Sequence, residues 1–217
     1  MNKIGIIISG GAIEAPFALD FLEKKTADIL IAVDRGLEFL YKHAVEPTHI
    51  VGDFDSIDPA VISYYKTEAK VPIREFNPVK YASDTEIAIR LAIGLGVNEL
   101  WILGGTGTRL DHVMANIQSL KIAANANVKA YLLDSHNRIS LLEKSSSFGK
   151  KEAFGPYFSL FPLGGRVEGL TIRGAKYSLT NHTLEPYDSL SVSNQFAEEE
   201  VLIEFYKGTI ILMETRD

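Results

Sequence analysis

Two aspartates stand two residues apart in the segment Val-Gly-Asp-Phe-Asp-Ser-Ile, which runs from Val51 to Ile57. Asp53 and Asp55 follow a short apolar run that ends at Gly52, so they come at the end of a candidate strand. Carboxylate oxygens are ligands that Mg²⁺ prefers, and a bound Mg²⁺ in turn holds phosphate oxygens. The pair therefore indicates a phosphate-transfer site, but Asp and Ser also form polar turns in which they cap backbone groups.

Further polar residues and glycines follow the other strand candidates in the N-terminal part of the chain. In an open parallel sheet, ligands bind beyond the carboxyl ends of the strands, so chemistry is expected at these positions. Glycines there let the backbone approach a phosphate closely and present N–H groups to it. The residues are Ser9, Gly10 and Gly11; Asp34, Arg35 and Gly36; Lys80, Ser83 and Asp84; and Gly104, Gly105, Gly107, Arg109, Asp111 and His112.

Each of these residues also has a structural explanation when it is taken alone. Gly is the usual residue of tight turns, and a carboxylate such as Asp84 or Asp111 stabilises the start of a helix. Lys80 and Arg109 suit exposed ion pairs. However, core packing does not require successive strand ends to supply Gly, Asp, Lys and Arg to one rim. The convergence favours a phosphate site, although the chain has neither a Walker loop nor a Gly-x-Gly-x-x-Gly fingerprint after the first strand.

The composition of the 217-residue chain is that of an ordinary globular protein, with 46% hydrophobic and 23% charged residues. The net charge of -6 opposes a long nucleic-acid interface, which is built from clustered Lys and Arg. The absence of cysteine removes disulfides, zinc-thiolate sites and thiol nucleophiles. No segment approaches the roughly 20 apolar residues that span a bilayer, so we expect a cytoplasmic protein without membrane contact.

Short β-branched runs alternate with amphipathic stretches over the first two thirds of the chain, which is typical of parallel strands joined by crossover helices. One helix is predicted to begin after Ser83, which forms a capping box with Glu86, and another covers Asp111–Ala124. The pattern predicts an α/β fold with a doubly wound, mainly parallel sheet in residues 1–135. The strand candidates are Lys3–Ser9, Ile29–Val33, His49–Gly52, Val71–Phe76, Glu99–Leu103 and Lys129–Asp134.

The pattern changes after Asp134, where helical periodicity fades and Gly, Pro, Asn and Ser separate short apolar runs. Lys207 and Gly208 suit a tight hairpin between the last two runs, and residues 145–151 suit a solvated loop. Residues 136–217 are therefore predicted to form a second, smaller all-β domain, a sandwich or a barrel. The predicted antiparallel strands are Tyr157–Leu163, Val167–Ile172, Ser189–Ser193, Val201–Tyr206 and Thr209–Met213.

The chain resembles the thiamine pyrophosphokinase family in three motifs that occur in a fixed order. They are Gly-Asp-Phe-Asp-Ser (52–56), Lys80 with Ser-Asp-Thr-Glu (83–86), and Gly-Gly-Thr-Gly-Thr-Arg-Leu-Asp-His (104–112). The sequence Ser-Val-Ser-Asn (191–194) is similar to the family's shorter Ser-x-Ser-Asn stretch. The resemblance implies an α/β domain (1–135) that binds ATP and Mg²⁺, and a β-sandwich domain (136–217) that binds thiamine and dimerises.

The resemblance also implies a reaction in which the pyrophosphoryl group of ATP passes to the thiamine hydroxyl, giving thiamine diphosphate and AMP. Asp53, Asp55 and Asp84 are then expected to hold Mg²⁺ and the phosphates, and Asp84 also serves the acceptor. Arg109 and Asp111 belong to the transfer centre, and either Asp84 or Asp111 accepts the hydroxyl proton. ATP is expected to bind at Ser9, Gly10, Gly11, Asp34, Arg35, Gly36, Lys80, Gly105, Arg109 and His112.

The family further implies a homodimer whose active sites lie between one subunit's α/β domain and the other subunit's β domain. Ser191, Ser193 and Asn194 are then expected to face thiamine from the partner. Some family members stack an aromatic residue on the thiamine ring, and the motifs above do not place it.

Three other functions fit part of the pattern. A pyrophosphokinase for another hydroxymethyl heterocycle, such as a pterin, has a similar phosphate rim and a different acceptor pocket. A catalytically silent nucleotide or thiamine sensor is favoured if Asp53 and Asp55 only form a turn, but binding alone does not need so many charged groups. An Asp-x-Asp phosphatase places its pair after the first strand, where this chain has Ser9, Gly10 and Gly11.

Overall fold

The computed structural model describes residues 2–55, 57–69, 71–75 and 82–217. The chain divides into two compact units, residues 1–135 and 136–217. Of the residues named above, Ser56, Lys80 and Phe76, the last residue of a predicted strand, lie outside the described residues. Within those ranges, the structure contains no helix with the length and hydrophobicity needed to cross a membrane.

A parallel sheet forms the centre of the first unit. It runs in the order β6-β5-β1-β2-β3-β4, and each of these neighbouring pairs is parallel. The chain moves outward from β1 to β4 and then builds β5 and β6 on the other side of β1, which is a doubly wound arrangement. The predicted α/β class is therefore confirmed. The strands are β1 (Ile4–Ile8), β2 (Ile29–Val33), β3 (His49–Gly52), β4 (Ile73–Glu75), β5 (Glu99–Leu103) and β6 (Lys129–Leu133).

Helices connect these strands and bury apolar side chains against the sheet. Every residue of β2 is buried, as expected for a strand covered on both faces. The predicted cap is present, because the Ser83 hydroxyl accepts a hydrogen bond from the Glu86 N–H at 3.2 Å. The helix predicted over Asp111–Ala124 is confirmed and is one residue longer at each end. The helices are α1 (Ala15–Lys24), α2 (Gly36–Lys42), α3 (Pro59–Thr67), α4 (Asp84–Gly94) and α5 (Leu110–Asn125).

The second unit is built from antiparallel strands, as predicted, and is a sandwich. One group lies in the order β12-β9-β14-β7 and the other in the order β11-β10-β13-β8. Phe158 and Leu212 from the first group share one buried cluster with Ile172 and Ile203 from the second, which is the core of the sandwich. The strands are β7 (Asn137–Leu142), β8 (Ser146–Gly149), β9 (Tyr157–Pro162), β10 (Val167–Arg173), β11 (Leu179–Leu184), β12 (Asn194–Gln195), β13 (Glu200–Glu204) and β14 (Ile210–Thr215).

The strand predicted over Ser189–Ser193 is wrong, because this segment is a turn that precedes β12. The Val192 N–H bonds to the Ser189 carbonyl at 3.2 Å, which closes the turn. The Ser193 N–H bonds to the Ser159 hydroxyl at 2.9 Å, and Ser193 has a φ of 57°. A left-handed residue interrupts a strand, and the alternation of small and apolar residues does not reveal it.

Two further expectations in the second unit are also wrong. Residues 145–151 contain β8, which pairs with β13, and are not simply a solvated loop. The hairpin expected at Lys207 and Gly208 does not form, because β13 pairs with β10 and β8 whereas β14 pairs with β7 and β9. Gly208 has a φ of 113°, which suits Gly in a link between strands of different groups. Apolar runs mark strands but do not specify their partners.

Candidate active site

The ends of β1, β2, β3 and β5 meet at one edge of the parallel sheet, because the strands are neighbours and run in the same direction. The predicted rim residues of these strands therefore lie along a common edge, as expected for a ligand site in such a sheet. Ser9, Gly10 and Gly11 follow β1, and Asp34, Arg35 and Gly36 follow β2. Asp53 and Asp55 follow β3, and Gly104 and Gly105 follow β5.

A buried contact brings the start of α4 to this edge. The hydroxyl of Ser9, which is 3% exposed, lies 2.9 Å from the hydroxyl of Thr85 in the first turn of α4. Asp84 is the preceding residue and is half-buried at the helix N-terminus. Thr85 was not predicted as a site residue, and its place directly after Asp84 in the Ser-Asp-Thr-Glu motif is the signal for it.

The glycines after β1 and β5 allow two loops to pack against each other. The Gly11 N–H donates to the Gly104 carbonyl at 2.7 Å, and the Ala12 N–H donates to the Thr106 carbonyl at 2.8 Å. A Cβ atom on Gly11 would lie 2.3 Å from the Thr106 oxygen and 2.4 Å from the Gly104 oxygen. Gly11 is therefore required by this loop contact, and its N–H is used within the protein rather than presented to a phosphate.

The start of α2 packs closely on the end of β1. A Cβ atom on Gly36 would lie 2.0 Å from the Ile8 carbonyl oxygen, and one on Gly10 would lie 3.2 Å from the Arg35 Cβ. Gly10 and Arg35 are exposed, whereas Gly36 is buried. The close approach places the exposed Arg35 beside the exposed backbone of Gly10, which is a suitable arrangement for an anionic ligand.

The carboxylate of Asp34 lies against the end of β3. A Cβ atom on Gly52 would lie 2.1 Å from Asp34 Oδ1 and 3.0 Å from the Phe54 ring. Asp34 has a φ of 45°, and its N–H donates to the Val51 carbonyl at 3.1 Å. Gly52 therefore gives this carboxylate room directly before Asp53. The sequence placed both acids at strand ends, and the structure places Asp34 against Gly52, the residue before Asp53.

The Asp53–Asp55 segment contains the turn that the sequence left as an alternative. The Asp55 N–H donates to Asp53 Oδ1 at 3.3 Å, and Phe54 has a φ of 61°. Asp53 is half-buried and Asp55 is exposed at the rim. The turn and a metal role are compatible, because a carboxylate has several lone-pair positions.

No three acidic or histidine side chains converge on a common metal position within the described parts of the chain. The chemistry of the donors nevertheless fits Mg²⁺, since Asp53, Asp55 and Asp84 offer only hard carboxylate oxygens. These three residues would hold the ion. Their metal role stays a prediction.

Arg109 and Asp111 form an exposed ion pair at the start of α5. Arg109 Nη2 lies 2.5 Å from Asp111 Oδ2, and Arg109 Nε lies 3.2 Å from Asp111 Oδ1. The hydrogen bond from Arg109 lowers the pKa of Asp111 below its ordinary value, and the same hydrogen bond raises the pKa of Arg109. His112 is exposed beside this pair. The pair offers a bidentate cation next to a carboxylate that stays ionised.

Asn116 in α5 holds the loop after β5, and the sequence reasoning missed it. Its side-chain amide donates to the Gly105 carbonyl at 2.7 Å, and Asn116 is 6% exposed. A Cβ atom on Gly105 would lie 2.3 Å from the Leu132 side chain, so a larger residue here would displace that side chain. The signal in the sequence was a polar residue next to Ile117 on the apolar side of the helix. Asn116 is a support for Gly105 and not a ligand.

The predicted acceptor residues of the second unit fall into two groups. Ser191 and Asn194 are each 1% exposed, whereas Ser193 is exposed. The Ser191 hydroxyl donates to the Leu160 carbonyl at 2.6 Å, which ties the segment to β9. The Asn194 side chain is hydrogen-bonded to the backbone of Tyr177, a residue that is 54% exposed. The sequence analysis did not name Tyr177, because this residue lies in none of the motifs.

Two family models match the chain, one in each unit. The model described as thiamin pyrophosphokinase, catalytic domain, matches residues 22–132. The model described as thiamin pyrophosphokinase, vitamin B1 binding domain, matches residues 147–210. The first match alone spans more than half of the chain. The chain belongs to the thiamin pyrophosphokinase family. The predicted family is therefore confirmed, and nothing in the matches favours a pterin enzyme, a sensor or a phosphatase.

Relatives of the thiamin pyrophosphokinase family resemble the chain over its whole length. The thiamine pyrophosphokinase of Bacillus subtilis (strain 168) is 28% identical over 218 residues, which covers 100% of both chains. A crystal structure of thiamine pyrophosphokinase from Bacillus subtilis has a TM-score of 0.87 at 27% identity, again with 100% of both chains covered. The yeast thiamin pyrophosphokinase structure has a TM-score of 0.84 at 20% identity over 99% of this chain and 87% of that one, and shares the fold.

The two thiamin pyrophosphokinase matches divide the site residues between them. The catalytic-domain match contains Asp53, Asp55, Asp84, Arg109 and Asp111, and the rim glycines after β1 precede it. The vitamin B1 binding match contains residues 177 and 191–194. The separation follows the division of the fold into an α/β unit and a sandwich unit.

Proposed function

We propose that the protein transfers the pyrophosphoryl group of ATP to the hydroxyl of thiamine. The observation that supports this most strongly is the presence of both family matches, one on each compact unit. In this reaction the thiamine hydroxyl oxygen attacks the β-phosphorus of ATP, and the bond from that phosphorus to the α-phosphate oxygen breaks. AMP leaves with that oxygen, and a protein base accepts the hydroxyl proton. Such a transfer needs alignment and charge neutralisation more than covalent work by side chains.

ATP is proposed to bind along the rim of the parallel sheet. Arg35 and Arg109 are exposed cations there, and each can neutralise part of the triphosphate charge. His112 and the backbone of Gly10 are exposed at the same edge. The buried members of the predicted set, Ser9 and Gly36, support the rim from beneath. Lys80 is kept in the proposal on its motif alone.

Mg²⁺ is proposed to be held by Asp53, Asp55 and Asp84. When it is bound, the ion neutralises phosphate charge and aligns the β-phosphate with the acceptor. The Asp53–Asp55 turn fixes the spacing of two of these carboxylates, because the Asp55 N–H is bonded to Asp53. The Ser9–Thr85 contact holds the start of α4, and therefore Asp84, at the same edge of the sheet.

Of the two acids that the sequence left open as the base, Asp84 is the better candidate. The hydrogen bond from Arg109 lowers the pKa of Asp111, which makes that carboxylate a weaker base. Asp111 is instead proposed to orient Arg109 toward the phosphates. Asp84 lies in the first turn of α4, which the Ser9–Thr85 contact holds at the sheet edge, and one of its carboxylate oxygens can accept the proton while the other holds Mg²⁺.

The acceptor is proposed to bind at Ser193 and Tyr177 of the sandwich unit. Ser193 is exposed and has a left-handed backbone, and its N–H is held by the Ser159 hydroxyl of β9. Tyr177 is 54% exposed and offers an aromatic ring to a cationic thiazolium. The Lys176 Nζ lies 5.4 Å from the centre of this ring, so the thiazolium is proposed to take the opposite face.

The activity has a direct test. Purified protein is incubated with ATP, Mg²⁺ and either thiamine or a hydroxymethylpterin, and the nucleotide and acceptor products are separated by chromatography. AMP together with thiamine diphosphate is the expected result. A diphosphorylated pterin would support the rival acceptor, whereas ADP or free phosphate would exclude pyrophosphoryl transfer.

A homodimer with active sites shared between subunits is part of the proposal. It is supported by the placement of the phosphate residues on one unit and the acceptor residues on the other. Sedimentation analysis measures the oligomeric state. Asp55→Asn and Tyr177→Ala/Ser193→Ala chains are mixed and assayed at a thiamine concentration at which each alone has little activity, because half of the dimers then contain one intact site if the sites are shared. About one quarter of wild-type activity is expected, and no recovery would place each site within one chain.

A further inference from the structure

The Asn194 side chain makes three hydrogen bonds inside the sandwich unit. Its Oδ1 accepts from the Tyr177 N–H at 3.0 Å and from the Gln195 N–H at 2.9 Å. Its Nδ2 donates to the Tyr177 carbonyl at 2.8 Å. One buried carboxamide therefore satisfies both backbone groups of Tyr177, a residue 17 positions earlier in the chain.

The contact matters because Tyr177 lies outside regular structure. It belongs to the bend between β10 and β11, where no strand ladder fixes the backbone. A second tie reaches the same bend, since the Lys176 N–H donates to the Gln195 carbonyl at 2.9 Å. Asn194 and Gln195 in β12 therefore take the place of a neighbouring strand for residues 176 and 177. The aromatic ring of Tyr177 can be exposed while its backbone is fixed.

The same residue also connects this bend to the exposed serine. Ser193 directly precedes Asn194, and the Ser193 N–H is fixed by the Ser159 hydroxyl at 2.9 Å. The backbones that carry two exposed groups, the aromatic ring of Tyr177 and the hydroxyl of Ser193, are thus held in place by Asn194 and its neighbours. Asn194 itself is 1% exposed, so it is not placed to contact a ligand.

We propose that Asn194 is a positioning residue for the thiamine acceptor, acting through the backbone of Tyr177 rather than by contact with thiamine. This inference rests on the proposed function, in which Tyr177 and Ser193 receive the acceptor. It changes the role that the Ser-x-Ser-Asn stretch was expected to have. Ser193 meets the acceptor, whereas Ser191 and Asn194 hold the surface in place through Leu160 and Tyr177.

The proposal predicts a defect that is confined to the acceptor. Asn194→Ala removes the carboxamide and is expected to raise the KM for thiamine about tenfold, since a small misplacement of a binding group is costly. The KM for ATP is expected to stay within about twofold of wild type, because the rim lies in the other unit. Asn194→Asp keeps the shape but places a carboxylate oxygen against the Tyr177 carbonyl, so it is expected to behave like Asn194→Ala.

A matched control distinguishes a defect in acceptor binding from a general loss of stability. Ile203→Val removes one methyl group from the sandwich core, where Ile203 is fully buried in β13 and lies opposite Ile172 and Ser146 in the neighbouring strands. It is expected to lower the melting temperature without raising the KM for thiamine. If Ile203→Val raised that KM as much as Asn194→Ala, the effect would be structural and the positioning role would be wrong.

A double variant tests whether Asn194 acts through Tyr177. Tyr177→Ala alone is expected to raise the KM for thiamine, and Tyr177→Ala/Asn194→Ala is expected to raise it no further. Additive effects would overturn the inference, because Asn194 would then act by another route. If Tyr177→Ala and Ser193→Ala both left the KM for thiamine unchanged, the proposed acceptor surface itself would fail. The two failures are therefore distinguishable.

Discussion

The hydroxyl of Ser9 lies 2.9 Å from the hydroxyl of Thr85, and this buried contact joins the end of β1 to the first turn of α4. These residues are 76 positions apart in the chain. The contact holds the helix that carries Asp84 at the edge of the sheet where Asp53 and Asp55 lie. A single pair of small side chains thereby links the predicted metal carboxylates of different elements.

Thr85→Val tests the strength of this link. Valine keeps the shape of threonine but leaves the Ser9 hydroxyl buried without its partner, which costs about 1–3 kcal/mol of unfolding free energy. The double variant Ser9→Ala/Thr85→Val removes both polar groups and is expected to recover part of that loss. Urea denaturation of the wild type, both single variants and the double variant measures the coupling, and strict additivity would show that the two hydroxyls do not interact.

Asp55→Asn tests the metal role of the exposed carboxylate. It is expected to reduce Mg²⁺-dependent turnover at least about 100-fold and to change unfolding free energy by less than about 0.5 kcal/mol, because Asp55 is a surface residue. Glu23→Gln makes the same change of charge at an exposed position of α1 and should leave turnover unaltered. Both activities are measured across a range of Mg²⁺ concentrations. An Asp55→Asn enzyme with a wild-type Mg²⁺ dependence would refute the assignment.

Gly11→Ala tests the contact between the loops after β1 and β5. The added Cβ would meet the carbonyl oxygens of Thr106 and Gly104 at 2.3 Å and 2.4 Å, so the loops must move apart. We expect a raised KM for ATP and a loss of about 1–3 kcal/mol in stability. The matched control is Gly94→Ala, because a Cβ there meets nothing within 4 Å and an alanine stabilises a helix by about 0.5–1 kcal/mol. Equal behaviour of the two variants would contradict the packing argument.

Arg109→Gln tests the electrostatics at the start of α5. The hydrogen bond from Arg109 lowers the pKa of Asp111, so its removal should raise that pKa toward the ordinary value for aspartate. The contact favours the ionised carboxylate, so whatever it contributes is present at neutral pH and is lost as the pH falls through the lowered pKa. Carbon-detected NMR titration of the Asp111 carboxyl measures the shift.

A second arginine provides the control for this titration. Arg166 and Lys207 both bond to Glu168 and lower its pKa, with Lys207 the larger cause. Arg166→Gln should therefore raise the pKa of Glu168 slightly and leave the Asp111 titration where it is. An Asp111 midpoint that stays unchanged in Arg109→Gln would show that the ion pair does not persist in solution.

The parallel sheet could be predicted from the sequence nearly to the residue. The predicted bounds Ile29–Val33, His49–Gly52 and Glu99–Leu103 are those observed for β2, β3 and β5. A strand covered by helices on both faces is apolar over most of its length, so its limits fall close to the limits of the apolar run. Once the end of a strand is known, the residues directly after it are known too. The rim residues could therefore be named before their contacts were known.

The sandwich could be predicted only as a class. The segment Ser189–Ser193 has the composition of a strand, yet the Ser159 hydroxyl and a left-handed Ser193 make it a turn. Likewise, the apolar runs of β13 and β14 are adjacent in the chain and were expected to pair, but their partners lie elsewhere. Strand partners in an antiparallel fold depend on contacts far apart in sequence, which local alternation does not encode.

The amino-acid sequence alone was enough to identify the acidic, basic and glycine residues of the sheet edge, the α/β class and the family. Folding decided which of these groups meet solvent and which serve as supports. Asn194 and Ser193 are neighbours in one motif, but Asn194 is buried against the Tyr177 backbone while Ser193 is exposed. The physical reason is that a polar side chain becomes a support when burial forces it to satisfy its hydrogen bonds inside the protein, and its partners come from segments that are distant in the chain.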